Sequence, residues 1–176
     1  MKIYQKSSKI IPKYLTEEEI SPILDRAKKD RYRNYVILLT LWRTGLRVSE
    51  IVNLEKRDIK DKIIVVRQGK GSKDRLVPLD DGLGTILLGV TDRLKPKAKI
   101  FPISTRQVRN IVYKYSGEQD ISPHSFRHSF SVHCLKSGMN LRSLQKILGH
   151  SNLNTTQIYL DIVGEDIIDD FKKVKW

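Results

Sequence analysis

Residues 122–160 constrain the fold more than any other part of the sequence, because they encode a succession of short helices rich in basic and polar side chains. Ser122 is a favourable N-cap and Pro123 suits the first position of a helix, so a helix is predicted to begin there. Residues 141–148 carry leucine and isoleucine at helical spacing, and Gly149 is a natural end for that helix. We expect a further short helix in the last part of the segment.

Four side chains of this segment have the chemistry of an anion site. His124 and Arg127 are three residues apart, so they share one face of the first helix and both can face a single anion. His150 follows the predicted end of the second helix, and Tyr159 lies inside the third. Short helices joined by tight turns would bring these four side chains within reach of one another.

A further arginine follows a helix that is predicted to be buried. Residues 35–42 are apolar almost all round, which is typical of a helix at the centre of a domain, and Gly45 is expected to end that helix in a left-handed conformation. Arg47 would then emerge at the edge of the core. Considered alone, Arg47 is most simply an ion-paired arginine whose partner is Glu50, three residues further on.

Two short apolar runs predict a β-hairpin. Residues 62–66 are mostly β-branched, residues 75–78 form a second apolar run, and a Gly-Lys-Gly-Ser sequence lies between them. Considered alone, the glycines and lysines of this turn indicate only a solvated loop. The turn nevertheless presents two lysines, Lys70 and Lys73, at its tip.

The order Arg, Lys, His-x-x-Arg, His, Tyr resembles that of the tyrosine recombinase (phage integrase) family. The resemblance is carried by TGLRVSE at 44–50, GKGSKDR at 69–75, HSFR at 124–127 and LGH at 148–150, with Tyr159 after them. Each motif alone is weakly specific, but their shared order over most of the chain argues against coincidence. The catalytic residues that the resemblance implies are Arg47, Lys70, His124, Arg127, His150 and Tyr159.

The resemblance assigns Tyr159 as the nucleophile that attacks a DNA phosphodiester and forms a 3′-phosphotyrosyl intermediate. A tyrosine hydroxyl has an ordinary pKa of about 10, so near neutral pH it needs a base or a strongly cationic site. The planar guanidinium groups of Arg47 and Arg127 match the non-bridging oxygens of the phosphate. Lys70 is implied as the general acid for the departing 5′ oxygen, and Lys73 is its rival for that role.

His124 is expected to assist the nucleophile, and His150 is expected to hydrogen-bond the phosphate. Because these side chains and the arginines supply the positive charge, no metal or other cofactor is expected. His124 and His128 also match the i, i+4 spacing of a helical zinc site, but Ser125 stands where a zinc protease has glutamate. We therefore expect His128 to support the site or to lie in the core.

Supporting residues and DNA contacts are expected around the catalytic set. Glu50 is expected to orient Arg47. The side chains predicted to contact DNA are Lys73, Arg75, Arg106 and Arg109. For the last two, a solvated basic face on a helix over residues 104–115 is the alternative, since exposed basic residues are common on such helices.

The charge of the whole chain favours a nucleic-acid partner. A formal net charge of +13 and an isoelectric point near 9.8 indicate nucleic acid first, an anionic membrane second and acidic proteins third. The sequence has no long apolar run and no signal peptide, so a cytoplasmic location is expected. The resemblance implies double-stranded DNA as the partner, a tetrameric synapse on DNA and a monomer when free.

The fold class expected is α+β: one mainly α-helical domain with a small antiparallel β-sheet. Residues 1–12 are predicted to be a basic arm or the remnant of a linker, and residues 13–176 the catalytic domain. Recombinases of this family usually carry an additional N-terminal domain that closes around DNA, and the resemblance covers the catalytic domain alone. Two other functions stay open: nicking and resealing in the manner of a topoisomerase, and DNA binding without catalysis.

Further local features are predicted outside these motifs. A helix should begin after Thr16, with Glu19 as its capping-box partner, and Pro22 should kink or break it. A helix over residues 80–90 is expected to turn its leucines inward, Leu88 included. Cys134 is expected to be a small buried side chain, and residues 165–176 should form a final amphipathic helix.

Overall fold

The structure is a computed structural model and describes residues 13–67, 74–117 and 120–149. The elements in chain order are α1 (Glu17–Asp30), α2 (Tyr32–Thr44), α3 (Val48–Ile51), a 3₁₀ helix (Lys56–Asp58), β1 (Ile59–Lys60), β2 (Ile63–Val66), β3 (Arg75–Pro78), α4 (Asp81–Thr91), α5 (Thr105–Ser116), α6 (Pro123–Lys136) and α7 (Leu141–Leu148). The three strands form one antiparallel sheet with β2 in the centre. The predicted class, mainly helical with a small antiparallel sheet, is confirmed.

Helix α2 lies at the centre of the fold, as its apolar sequence predicts. It packs against α1, α4, α5 and α6, and its side chains from Val36 to Leu41 are almost entirely covered. A helix that is apolar on every side gains most from such a position, because each face removes hydrocarbon from water. Contacts with α2 therefore fix the positions of the helices that surround it.

The predicted helix ends are confirmed. Thr16 and Glu19 form a reciprocal capping box at the start of α1, and the Ser122 side chain accepts a hydrogen bond from the backbone of Ser125 at the start of α6. Gly45 ends α2 at φ +60°, and Gly149 ends α7 at φ +65°. Both glycines adopt the left-handed conformation, which terminates a helix and turns the chain.

Two local predictions are wrong. Helix α1 continues through Pro22, so the break predicted as one alternative to a kink is absent; Pro22 is solvent-exposed, where water can hydrate the one carbonyl that loses its partner. Leu88 is 53% exposed instead of facing inward, while Leu83 and Leu87, one turn apart, form the buried stripe of α4. The two-residue strand β1 is an addition that the sequence did not indicate.

Several predicted features lie outside the described residues. These are the basic arm at residues 1–12, the tip of the hairpin, the short helix that should contain Tyr159 and the final helix over residues 165–176. Within the part of the chain that the structure describes, no helix combines the length and the apolar composition needed to cross a bilayer.

Candidate active site

Arg47 lies in the short connection between α2 and α3, where the chain has been turned by Gly45. The Nη1 atom of Arg47 is 3.1 Å from Oε1 of Glu50, and its backbone N–H donates to Oε2 of the same carboxylate at 2.6 Å. The Arg47 side chain remains 39% exposed. Glu50 thus binds the backbone N–H and one guanidinium nitrogen of Arg47, as predicted. Part of the guanidinium remains exposed to solvent.

Arg127 lies on α6 and is 95% covered, so its position is set by the protein interior. Its Nη1 atom donates to the carbonyl of Gly45 at 2.6 Å, and its Nη2 atom donates to the carbonyl of Leu148 at 2.7 Å. One guanidinium therefore joins the end of α2 to the end of α7. Both acceptors are carbonyls at helix ends, which have no partner within their own helix.

Arg75 begins strand β3 and points into the protein. Its Nη1 and Nη2 atoms donate to Oε1 and Oε2 of Glu50, both at 2.7 Å, and its Nε atom donates to the carbonyl of Ile147 at 2.7 Å. The residue is only 8% exposed. This geometry supports a role inside the protein for Arg75 in place of the predicted contact with DNA.

The three arginines meet at the C-terminus of α7. Arg75, Arg127 and Arg47 donate, in that order, to the carbonyls of three consecutive residues at 2.7, 2.7 and 3.4 Å. The acceptors are Ile147, Leu148 and Gly149. The C-terminal end of a helix carries unpaired carbonyls and partial negative charge, so it attracts guanidinium groups. The chain continues from this point to His150.

Glu50 is the acidic centre of this cluster. Burial would raise the pKa of its carboxyl group, but hydrogen bonds from Arg75 and from the backbone of Arg47, with the charges of both arginines, hold that pKa below its usual value. The carboxylate accepts four hydrogen bonds, which uses its acceptor capacity. Two guanidinium groups share one carboxylate, so the cluster keeps an excess of positive charge.

The two histidines of α6 have different surroundings. His124 is exposed in the first turn of the helix, whereas His128, one turn later, is largely covered. Burial, together with the charges of His124 and Arg127, lowers the pKa of His128 to about 4. His128 is therefore neutral at pH 7, which agrees with the supporting or core role expected of it.

The other predicted residues divide into two groups. Arg106 and Arg109 are exposed on α5, whose opposite face is buried through Val108 and Val112. Lys70, Lys73, His150 and Tyr159 lie outside the described residues. Among the residues that are described, no group of three or more histidine, cysteine, aspartate or glutamate side chains could hold a metal ion.

The sequence did not predict the carbonyl groups that accept hydrogen bonds from Arg47 and Arg127. The carbonyls of Gly45, Leu148 and Gly149 are main-chain groups, so no residue type marks them. Arg75 did leave a signal. In β3 the side chains alternate, with Arg75 and Val77 inward and Leu76 outward, and this period of two predicts an inward arginine.

The fold is that of the tyrosine recombinase catalytic domains. The crystal structure of XerA recombinase superposes with a TM-score of 0.79 at 30% identity, covering 96% of this chain and 68% of that one. The catalytic domain of bacteriophage HP1 integrase superposes with a TM-score of 0.70 at 26% identity, covering 89% of this chain and 94% of that one. The chain belongs to the phage integrase family, whose profile matches residues 13–164.

Its relatives by sequence include archaeal and bacterial recombinases. Tyrosine recombinase XerA of Thermococcus kodakarensis is 40% identical over 182 residues, which cover 94% of this chain and 64% of the relative. Tyrosine recombinase XerC of Staphylococcus epidermidis is 32% identical, with 94% and 62% covered. This chain therefore spans less than two thirds of the length of these relatives. XerH recombinase, in a post-cleavage complex with palindromic difH substrate, superposes with a TM-score of 0.70 at 25% identity, covering 94% of this chain and 56% of that one.

Proposed function

We propose that this chain is the catalytic part of a site-specific DNA recombinase in which Tyr159 is the nucleophile. The observation that carries the proposal is the meeting of Arg47 and Arg127 at the end of α7, immediately before His150. These arginines lie in distant parts of the sequence, yet they donate to adjacent carbonyls, those of Gly149 and Leu148. The recombinase names of the sequence relatives support the same conclusion.

The proposed first step is attack of the Tyr159 oxygen on a DNA phosphorus. The new bond gives a 3′-phosphotyrosyl link, and the bond from phosphorus to the 5′ oxygen breaks. Negative charge that grows on the non-bridging oxygens is stabilised by the guanidinium groups of Arg47 and Arg127. Arg47 is suited to this contact because part of its guanidinium is open, and Arg127 is suited because its position is fixed by two carbonyls.

Proton transfers complete the step. His124, exposed at the start of α6, accepts the proton of the Tyr159 hydroxyl as general base. Lys70 gives a proton to the departing 5′ oxygen, with Lys73 as the alternative donor, and His150 hydrogen-bonds the phosphate. The phosphotyrosyl bond conserves the energy of the broken phosphodiester, so a 5′ hydroxyl can reverse the step without ATP.

Double-stranded DNA is the proposed partner. The net charge of +13 and the exposed Arg106 and Arg109 on α5 support phosphate contacts. XerH, a protein of the same fold, has been crystallised with its difH substrate. We propose assembly of several copies, in the form of a tetrameric synapse, only on DNA, with a monomer when free. The proposed location is the cytoplasm.

A covalent adduct is the test of the proposed function. The protein is incubated with nicked duplexes prepared from mixed genomic fragments, in EDTA, and the products are separated on a denaturing gel. A protein–DNA band that Tyr159→Phe abolishes supports the proposal. Absence of an adduct on every DNA favours a binding module, relaxation of supercoiled plasmid without strand exchange favours topoisomerase activity, and a requirement for Zn²⁺ or Mg²⁺ contradicts the mechanism.

A further inference from the structure

We propose that Arg75 is a positioning residue for the cleavage reaction, acting through Glu50 on Arg47 and through Ile147 on the end of α7. This inference rests on the proposed function, because it concerns the same reaction. Arg75 is buried, and each of its three guanidinium nitrogens donates to Glu50 or to Ile147, so we expect its effect on cleavage to pass through the groups that it touches. Those groups are one carboxylate and one carbonyl.

The first route runs through Glu50. Arg75 binds both carboxylate oxygens in a parallel fork, which fixes the orientation of the carboxylate as well as its position. The same two oxygens receive the side chain and the backbone N–H of Arg47. Without Arg75, the buried charge of Glu50 would rely on Arg47 alone, and the attraction would draw the Arg47 guanidinium away from an incoming phosphate.

The second route runs through the carbonyl of Ile147. The Nε atom of Arg75 donates to this carbonyl, and Nε lies in the same rigid plane as the two nitrogens that bind Glu50. One planar group therefore fixes the distance between the Glu50 carboxylate and the last turn of α7. That turn also receives Arg127 and Arg47 at its next two carbonyls. A lysine at position 75 could supply the charge but not this plane.

Another arginine that is paired with a buried carboxylate, Arg67, provides a control. Arg67, just after β2, has its Nη2 atom 2.7 Å from Oδ1 of Asp58, and the Asp58 side chain is 6% exposed. Asp58 also accepts the backbone N–H of Glu55 at 2.9 Å. These partners belong to the 3₁₀ helix and its flank, away from the carbonyls at the end of α7. Arg67→Lys therefore disturbs an arginine–carboxylate ion pair, with an arginine that is 42% exposed, and leaves the hydrogen bonds of Arg75 to Glu50 and Ile147 in place.

The experiment compares Arg75→Lys with Arg67→Lys. Each variant is examined for its unfolding midpoint, its affinity for nicked duplex DNA and its single-turnover rate of Tyr159 adduct formation at saturating DNA. For Arg75→Lys we expect an adduct rate lowered by about 100-fold, the scale associated with misplaced reacting groups, and a DNA affinity within about twofold of the parent. Arg67→Lys is expected to lose some stability and to keep the parent rate.

Each outcome has a defined meaning. A folded Arg75→Lys protein that cleaves at the parent rate overturns the inference, and so does an equal loss of rate in both variants. If Arg75→Lys does not fold, Arg75→Gln combined with Glu50→Gln replaces it, because that pair of changes leaves no unpaired buried charge. Slow cleavage by the folded double variant supports the inference, and parent-like cleavage overturns it. Absence of an adduct from the parent protein itself refutes the proposed function.

Discussion

Arg127 donates a hydrogen bond from Nη1 to the carbonyl of Gly45 at 2.6 Å, although the two residues are 82 positions apart in the sequence. Gly45 also ends α2 and precedes Arg47 by two residues. A glycine that is required for chain direction therefore also presents the oxygen that holds the second arginine of the site. Stability and placement of the site should consequently respond together to a change at Gly45.

Gly45→Ala should destabilise the protein. A Cβ atom there would lie 2.5 Å from Cδ1 of Phe130, and the backbone has φ +60°, so both the contact and the conformation oppose a side chain. The conformational cost alone is about 1–2 kcal/mol. Gly89→Ala is the control, because a Cβ on that exposed position of α4 meets nothing within 4 Å. Thermal unfolding should show a loss for the first variant and a small gain for the second.

The free energy of unfolding should decrease as the pH is lowered from 6.5 to about 4, because His128 is protonated more readily in the unfolded chain. Its folded-state pKa of about 4 lies below its usual value of 6.5, so the unfolded chain binds a proton first. The contribution of neutral His128 is complete above pH 6.5 and is lost as the pH falls towards 4, with a slope of at most about 1.4 kcal/mol per pH unit. Urea unfolding of the parent and of His128→Asn measures this slope, which the variant should lack.

Glu50 affects stability in a different pH window. Its lowered pKa means that its contribution is present above the usual value of 4.5 and is lost only as the pH falls below it. Loss of stability between pH 6.5 and 5 that persists unchanged in His128→Asn would contradict the assignment to His128.

DNA binding should become less dependent on salt when an arginine that neutralises a phosphate is replaced. Arg106→Gln and Arg109→Gln should each reduce the slope of log affinity against log salt by about 0.9 for every phosphate that is no longer neutralised. Lys62→Gln is the control, because the Lys62 ammonium is already paired with Asp81 at 2.8 Å. Fluorescence anisotropy across a series of salt concentrations gives the three slopes. A slope for both arginine variants equal to that of the parent would leave α5 as an ordinary solvated face.

Cys134 should resist alkylation in the folded protein. Burial raises the pKa of its thiol to about 11, so at pH 8 the reactive thiolate is scarce as well as covered. In the folded protein, iodoacetamide should modify Cys134 only as fast as the domain opens. In urea, the rate should rise to that at which iodoacetamide modifies the free thiol of glutathione. Mass spectrometry follows the adduct. Rapid modification of the folded protein would contradict the buried position of this thiol.

Local chemistry explains the features that the sequence predicted correctly. Thr16, Gly45 and Gly149 mark helix ends through interactions with their own neighbourhood, so the sequence alone was sufficient to place them. The apolar surface of α2 similarly specified its central position. Because the family motifs flank these ends, the expected neighbours of Arg47 were also predictable, and Glu50 is found bound to it.

The predictions that failed depended on contacts between distant segments. Nothing near Leu88 indicates that neighbouring elements leave its side of α4 uncovered, and nothing near Pro22 indicates that its side of α1 faces solvent. Arg75 was assigned to DNA as part of the basic GKGSKDR motif of the hairpin. Its partners, Glu50 and Ile147, lie 25 and 72 positions away, and only the folded chain brings them to it.

The attachment of three arginines to the carbonyls at the end of α7 makes the spacing of the chain there more important than its side chains. Any residue supplies the same carbonyl, so Ile147 or Leu148 can be exchanged for another apolar residue of similar volume without loss of an acceptor. Insertion or deletion of a single residue within α7 has a different effect. It would present every guanidinium with the wrong peptide group. It would also rotate the direction in which the chain leaves α7 by about 100°, the turn per residue of a helix.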